Sequence, residues 1–418
     1  MNEKNHEEIA CRRRLFKLFD KNTRVSHILK LIPRSRSWVY KWKQRFEEDG
    51  FAALDSVDKA PHHSPHAYPG TVVALVLRVR KRLQRACVGL VGARAIRREL
   101  KQPHALKHVP SVTTVNRWLK DARLVSTPSP PPEKTYYPAP QLRAELVFQA
   151  CDWAQRYLTG GVKVFAFHTV DLQTHALWQS VGRDKTTATV QAHALEVWQE
   201  LGLPDYLQLD NDAAFTGLGK RPRVFGRFVR WALSLGIELI FIPPGEAKRN
   251  HLVEGVNHLW SAGFWDKNDF ASWRDFARKR EKFLIWYADY EPPALGGLSV
   301  RQANASVSRR TLKPREVAAL PAELPLVAGR IHFIRRVSAT GDIELLKERW
   351  KVSKRLAHQY VWATIHTRRQ SLEIYQRPSQ RAQPRLVKQY DYEIAERVYP
   401  LAACYRRRHQ AISGLKLI

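Results

Sequence analysis

Apolar residues recur at helical spacing through the first part of the chain. Ile9, Leu15, Leu18 and Phe19 share one face of a helix predicted over 9–19, and Ile28 and Leu31 one face of a second over 25–31. Pro33 ends the second helix. Ser35 is placed to cap a third over 36–48, whose inward face is Trp38, Val39, Trp42 and Phe46. The pattern then repeats. Helices are predicted over 72–86 and 93–100, and a third over 112–122 follows Pro110, with Ser111 as its cap and Val115, Trp118 and Leu119 facing inward. Residues 1–58 and 70–125 therefore read as two helix-turn-helix domains in tandem.

Consecutive prolines in 126–132 stop any helix and favour an extended linker, assigned to 126–140. Beyond it the period changes. Short apolar strands are predicted over 146–151 (closed by Asp152), 162–170, 176–181, 206–209 and 237–242, with helices over 186–201, 225–235 and from Asn250 to Trp260. Three strands, then helix, strand, helix, strand, helix, describe a mixed α/β layer over 141–300. Further strands over 330–337, 342–346, 360–366 and 371–375, with a turn at 339–342, suggest a small β-barrel over 320–400, followed by a basic tail over 401–418.

Charge sharpens this division. The chain carries a formal net charge of +31. Residues 1–135 hold 28 Lys and Arg against 12 Asp and Glu, residues 136–300 hold 18 of each, and residues 301–418 hold 24 against 9. A neutral middle between two basic arms fits a catalytic domain held on a polyanion by its flanks, and nucleic acid is the usual partner at such a charge. In the first arm, Arg34, Arg36, Ser37, Tyr40 and Lys41 lie opposite the apolar face, and in the second unit so do Thr113, Thr114, Asn116, Arg117 and Lys120. Helices presenting such side chains after a tight turn suit the major groove of double-stranded DNA. The strands of the predicted barrel carry Arg335, Arg336, Arg368 and Arg369, consistent with contact to a phosphate backbone. The four cysteines are scattered without metal-ligand spacing, and His62, His63 and His66 lie in a Pro- and Ser-containing stretch that reads as linker. No apolar run reaches the length of a membrane span, and the polar, charged first eight residues are not a secretory signal, so a cytoplasmic location is expected.

Three carboxylates occupy telling places. Asp152 and Asp210 close predicted strands, and Glu254 lies one turn into the last core helix. Strand ends and helix starts along one sheet edge are where ligand sites form. Three carboxylates without neighbouring Lys or Arg would repel one another, and divalent cations with a taste for hard oxygen, Mg²⁺ or Mn²⁺, would relieve that. Two such ions about 4 Å apart serve phosphodiester chemistry.

These residues resemble those of a known family, the DDE transposases and retroviral-type integrases, especially the transposases of bacterial insertion sequences. Phe148-Gln-Ala-Cys-Asp152 resembles the family's first strand, and Phe167-His-Thr-Val-Asp-Leu172 its second, whose Asp is usually not catalytic. Leu207-Gln-Leu-Asp-Asn211 with Phe215 resembles its Asp-Asn-Gly-x-x-Phe, and Pro243-Pro-Gly with Asn250 and Glu254 its proline-rich loop and Asn-x-x-x-Glu helix. The resemblance implies an RNase H-like core with Asp152, Asp210 and Glu254 as catalytic and metal-holding residues, Asn211 and Asn250 in support, and two Mg²⁺ or Mn²⁺ per site. It implies binding to the terminal inverted repeats of a mobile element, a homo-oligomer on DNA, release of a 3′ end and its transfer into target DNA, in a prokaryotic, nucleoid-associated setting. Asp171 reads as structural, and Asp212 as a residue beside the site. Lys248 and Arg249, just before the last core helix, are placed either to grip a phosphate or as surface charges. The chain departs from the family in Asp212 and His251, both at common glycine positions, in a longer interval of 44 positions from Asp210 to Glu254, and in lacking the retroviral-type zinc-binding domain. Lys220, Arg221, Arg223 and Arg227 fall within that interval, where a longer loop would meet DNA. Two other readings fit the same residues: a nuclease of this fold that cuts without joining, and a DNA-binding regulator with an inactive core.

Overall fold

The computed structural model describes residues 3–54, 68–101, 106, 108–125, 135–217, 223–321, 323–406 and 417. The His62–His66 stretch, the prolines of 126–132, Lys220, Arg221, Arg407 and Arg408 lie outside these. The chain divides into two compact units, Met1–Gly70 and Thr71–Ile418.

The first unit is a three-helix bundle: α1 (Glu3–Asp20), α2 (Val25–Leu31) and α3 (Arg36–Asp49). Ser35 caps α3, its side chain accepting from the Trp38 amide at 3.2 Å. Leu15, Phe16, Ile28, Ile32, Val39 and Trp42 are buried together, whereas Leu31, expected on the inward face of α2, is exposed and Ile32 takes its place.

The second unit begins with another bundle, α4 (Gly70–Arg85), α5 (Ala93–Leu100) and α6 (Val112–Asp121), closed over Val76, Ile96, Val115 and Leu119. Ser111 caps α6 through the Thr114 amide at 3.1 Å. This bundle is fastened to the sheet-bearing part of its unit by hydrogen bonds. The Gly89 amide donates to Gly263 O (2.8 Å), Lys267 Nζ to Leu83 O (2.7 Å) and Asn268 Nδ2 to Cys87 O (2.7 Å).

The sheet opens with an antiparallel meander of β1 (Phe148–Tyr157), β2 (Lys163–Asp171) and β3 (Leu177–Gly182). Next come α7 (Thr187–Glu200), β4 (Tyr206–Leu209), α8 (Ala213–Thr216), α9 (Arg227–Ser234), β5 (Glu238–Phe241), α10 (His251–Gly263), α11 (Trp273–Ala288), α12 (Val300–Ala305) and α13 (Pro314–Ala318). Strand β4 pairs parallel with β1, and β5 parallel with β4. One sheet face packs under α7 and α9 and the other under α10 and α11, giving two apolar cores.

Strand β1 is longer than the apolar pattern predicts and does not end at Asp152. Its residues pair antiparallel with β2 from Gln149 to Tyr157, whereas its parallel pairing with β4 stops at Ala150. The β2 ladder keeps the polar residues after Asp152 extended.

The separate C-terminal β-barrel is also corrected. Strands β6 (Arg330–Arg336), β7 (Asp342–Leu345), β8 (Glu348–Lys351), β9 (Tyr360–His366), β10 (Ser371–Gln376) and β11 (Arg385–Asp391) follow in the chain. Of these, β6 pairs parallel with β5, and β9, β10 and β11 continue outward from it. The result is one nine-stranded sheet, ordered β11-β10-β9-β6-β5-β4-β1-β2-β3, with β7-β8 as a separate hairpin. The reason is edge protection. Strand β5 is buried throughout, and an apolar strand with an unpaired edge needs a neighbour. Polar residues cross this seam because they satisfy one another. Glu238 on β5 receives Arg330 Nε at 2.8 Å and lies 3.1 Å from His332 Nε2. Burial would push the Glu238 carboxyl up, but the Arg330 and His332 contacts outweigh it and hold it below the usual range.

Gly217 and Gly226 close the base of the segment between α8 and α9. A Cβ on Gly226 would fall 2.6 Å from Gly217 Cα and 2.7 Å from Thr216 O. Backbone cannot yield as a flexible side chain would, so Gly226→Ala is expected to destabilise by roughly 1–3 kcal/mol. A lower urea midpoint at unchanged slope would register this, and an unchanged midpoint would contradict the contact.

Candidate active site

The register of the sheet brings two of the three carboxylates together. The parallel β1–β4 pair ends with Gln149 opposite Leu207 and Ala150 opposite Gln208. Two residues further along stand Asp152, still within β1, and Asp210, just past the end of β4. Glu254 enters from the first turn of α10, which packs on β1 and β2. All three are partly buried.

Their electrostatics agree with this convergence. Burial raises the Asp152 carboxyl to about 7, against hydrogen bonds that favour its charged form, and the charges of Asp210 and Glu254 push it the same way. Burial also raises Asp210, with Asp212 and Glu254 adding to the shift and Lys185 opposing it. Among the described residues none of the three forms an ion pair. Each Asp152 oxygen has one fixed donor: the Trp153 amide to Oδ1 at 2.7 Å and Asn257 Nδ2 to Oδ2 at 2.9 Å. Asp210 Oδ1 accepts from the Asp212 amide at 3.0 Å.

The supporting asparagines act as braces. Asn250 is buried, receives Gln208 Nε2 at 2.9 Å and donates to Cys151 O at 3.2 Å, tying the start of α10 to β4 and β1. Asn211 donates to Ile242 O at 2.6 Å and accepts from Arg335 Nη2 at 2.7 Å. Asp212 caps α8 by accepting from the Ala214 amide (2.9 Å) and pairs with Lys185 (2.6 Å). Asp171 lies on β2 away from the group, ion-paired to Arg309 at 2.8 Å and accepting from the Gln173 and Thr174 amides.

Hard carboxylate oxygens, mutual repulsion and no paired cation fit a divalent metal in kind and charge. Among the described residues, no three His, Cys, Asp or Glu side chains are already drawn into a closed ligating set. A cleft of about 580 Å³ opens beside Asn211, lined among others by Pro243, Glu246, Arg335, Arg336 and Lys347.

The residues of the two bundles and of the loop before α10 that were expected to meet DNA divide into two groups. Arg36, Ser37, Tyr40 and Lys41 are exposed along one face of α3, as are Thr113, Asn116, Arg117 and Lys120 along α6, and Lys248 is exposed. The remaining three make contacts within the fold, Arg34 while still exposed. Arg34 pairs with Glu8 at 2.7 Å. The Thr114 hydroxyl meets Ser111 Oγ at 2.9 Å within the cap. Arg249 bonds Glu246 (2.9 Å) and Tyr360 Oη (2.8 Å) and lies over the rings of Tyr137 and Tyr360. It locks the loop before α10 to β9 rather than pointing outward. Sequence reasoning missed Asn257 and Lys185, and it read Arg335 as a phosphate contact, whereas the structure buries that side chain against Ile242 O and Asn211 Oδ1. For Asn257 a signal existed, since three residues after Glu254 it shares that residue's side of the helix.

A family model for a homeodomain-like domain matches residues 38–119. Among solved structures, the chain is similar to the catalytic core domain of HTLV-2 integrase in complex with magnesium, at 18% identity over 39% of this chain and 99% of that one, with a TM-score of 0.30. A chain of the simian T-cell lymphotropic virus intasome in complex with PP2A regulatory subunit B56 gamma matches at 13% identity over 73% and 94%, with a TM-score of 0.33. The catalytic core domain of BIV integrase matches at 14% identity over 38% and 93%, with a TM-score of 0.27. No helix among the described residues is long and apolar enough to cross a membrane.

Proposed function

We propose that this protein is a DNA transposase, a metal-dependent polynucleotidyl transferase of the DDE type that frees a 3′ end of a mobile element and joins it to target DNA. The observation that carries the reading is that Asp210 and Glu254 lie near enough to Asp152 for their charges to help raise its carboxyl, with no ion pair to any of the three among the described residues. Asp152, Asp210 and Glu254 hold Mg²⁺ or Mn²⁺. When bound, two such ions supply the positive charge that offsets the phosphodiester oxygens and favours the attacking and leaving oxygens. The chain's own part is to present carboxylate oxygens at fixed angles, through Trp153, Asn257 and the Asp212 amide, and to admit a strand along the cleft beside Asn211. The exposed faces of α3 and α6 hold the terminal inverted repeats, and the homeodomain-like match spans both helices. Lys248 contacts a phosphate near the site. Two or more copies assemble on the DNA, in a prokaryotic, nucleoid-associated setting.

Incubating labelled element-end DNA with Mg²⁺ or Mn²⁺ tests this directly. Joined product supports the transferase, cleavage without joining favours a nuclease, and end binding without either favours a regulator with an inactive core.

DNA binding has its own test. Lys41→Ala and Arg117→Ala are each expected to weaken binding and to flatten the dependence of log K on log salt by about one unit. A slope unchanged in both variants would remove α3 and α6 from the phosphate contacts.

A further inference from the structure

Three strands place a row of polar side chains beneath α10 and α11. In the sheet register Asp152 lies opposite His168, and His168 opposite Gln179. His168 and Gln179 are buried, where an unpartnered polar group would be costly. Asn257 of α10 joins the row at one end and Arg280 of α11 at the other.

The chemistry of each group fixes the direction of every bond. Arg280 can only donate, and its Nε–H reaches Gln179 Oε1 at 2.9 Å. Gln179 Nε2 therefore donates to His168 Nε2, at 2.5 Å. A neutral imidazole accepting at Nε2 carries its proton on Nδ1, which lies 2.5 Å from Asn257 Oδ1. Asn257 then donates through Nδ2 to Asp152 Oδ2 at 2.9 Å. Burial favours the neutral ring, pushing His168 down to about 4. All four bonds run one way, from a guanidinium to a carboxylate.

We propose that His168, acting through Asn257, is a positioning residue that holds the Asp152 carboxylate in the orientation that receives metal. The Trp153 amide fixes one oxygen, and the relay from Arg280 fixes the other. Without the Nδ1–H of His168, the Asn257 amide has no partner that dictates which end faces Asp152. Turned over, it would set an oxygen against the carboxylate. The inference rests on the metal reading of the site.

The test is Mn²⁺ binding to the DNA-free protein, followed by electron paramagnetic resonance, at a temperature where circular dichroism shows each variant folded. His168→Phe keeps the ring and removes both nitrogens, and is expected to weaken Mn²⁺ binding about 10–100-fold, the range for outer partners of metal ligands. Asn257→Leu is expected to do the same. The double variant should be no weaker than about twofold below the worse single one, because both act by one route. Gln179→Leu, further along the relay, should give a smaller loss in the same direction and carries the test if His168→Phe does not fold. A purely structural His168 would lower the melting temperature and leave Mn²⁺ affinity unchanged, which would overturn the proposal, as would multiplying effects in the double variant. Asp152→Asn is the reference. If it binds Mn²⁺ as the wild type does, the metal reading fails, and the relay proposal with it.

Discussion

Asp210→Asn is expected to abolish joining of element-end DNA while leaving the fold and end binding intact. Asparagine keeps the shape of the side chain, and its oxygen can still accept from the Asp212 amide, so the turn into α8 survives. The loss is one negative charge close enough to Asp152 to help raise its carboxyl. Metal-borne stabilisation of the transition state is worth several kcal/mol. At 1.36 kcal/mol per factor of ten, losing about 4 kcal/mol slows the reaction by roughly a thousandfold. Single-turnover joining with labelled ends, beside a binding measurement on the same DNA, separates the two effects. Activity within tenfold of wild type would remove Asp210 from the metal-holding set.

Asp152→Asn is expected to do something that loss-of-function variants seldom do, namely stabilise the metal-free protein. In the folded chain the Asp152 carboxyl is raised from 3.8 to about 7. A raised folded pKa means that stability is fully present below the unfolded value and is lost as pH rises through the folded one. Three units at 1.36 kcal/mol each put that loss at up to about 4 kcal/mol between pH 4 and pH 8. Asparagine does not ionise and escapes it. Against the gain stands a mismatch, since Asn257 donates to Asp152 Oδ2 and would meet an amide nitrogen there. An unmade hydrogen bond of that kind costs about 1–3 kcal/mol. The net expectation is a variant more stable by roughly 2 kcal/mol at pH 8 with chelator present, and no more stable than wild type at pH 4. Urea denaturation at the two pH values measures it. A variant less stable than wild type at pH 8 would mean that the ionised carboxylate is well solvated in the native state.

Much of the arrangement was legible beforehand because it depends on local rules. The tandem bundles announce themselves through Ser35 and Ser111 at helix starts and through Trp42 and Val115 on buried faces. The α/β order follows from the change of period after the prolines. Asp210 and Glu254 stand out because each sits where a strand ends or a helix begins, and Asp152 because the apolar run of its strand stops there. What the sequence concealed depends on contacts between distant segments. The apolar signal fades after Asp152, so the strand was expected to end there, yet β2 pairs with β1 to Tyr157. Arg330 and His332 gave β6 a polar cast, and only Glu238, 92 and 94 positions away, makes burial of that cast tolerable. Arg249 looked like a phosphate contact or a surface charge because its aromatic partners, Tyr137 and Tyr360, lie more than a hundred residues away on either side. The His168 row shows only when β1, β2 and β3 are laid in register.

The continuous sheet bears on how such a chain can change over generations. Helical bundles joined to a neighbour by a few hydrogen bonds can be traded as cassettes. Strands β6, β9, β10 and β11 cannot, because they are rungs of the ladder that begins beside Asp152 and Asp210. A recombination that cut the gene between β5 and β6 would leave Leu239, Ile240 and Phe241 on a naked edge and strip Asn211 of the Arg335 guanidinium. The C-terminal strands are therefore inherited with Asp152 and Asp210 or not at all, and novelty in what this chain recognises has to come from its helices and loops.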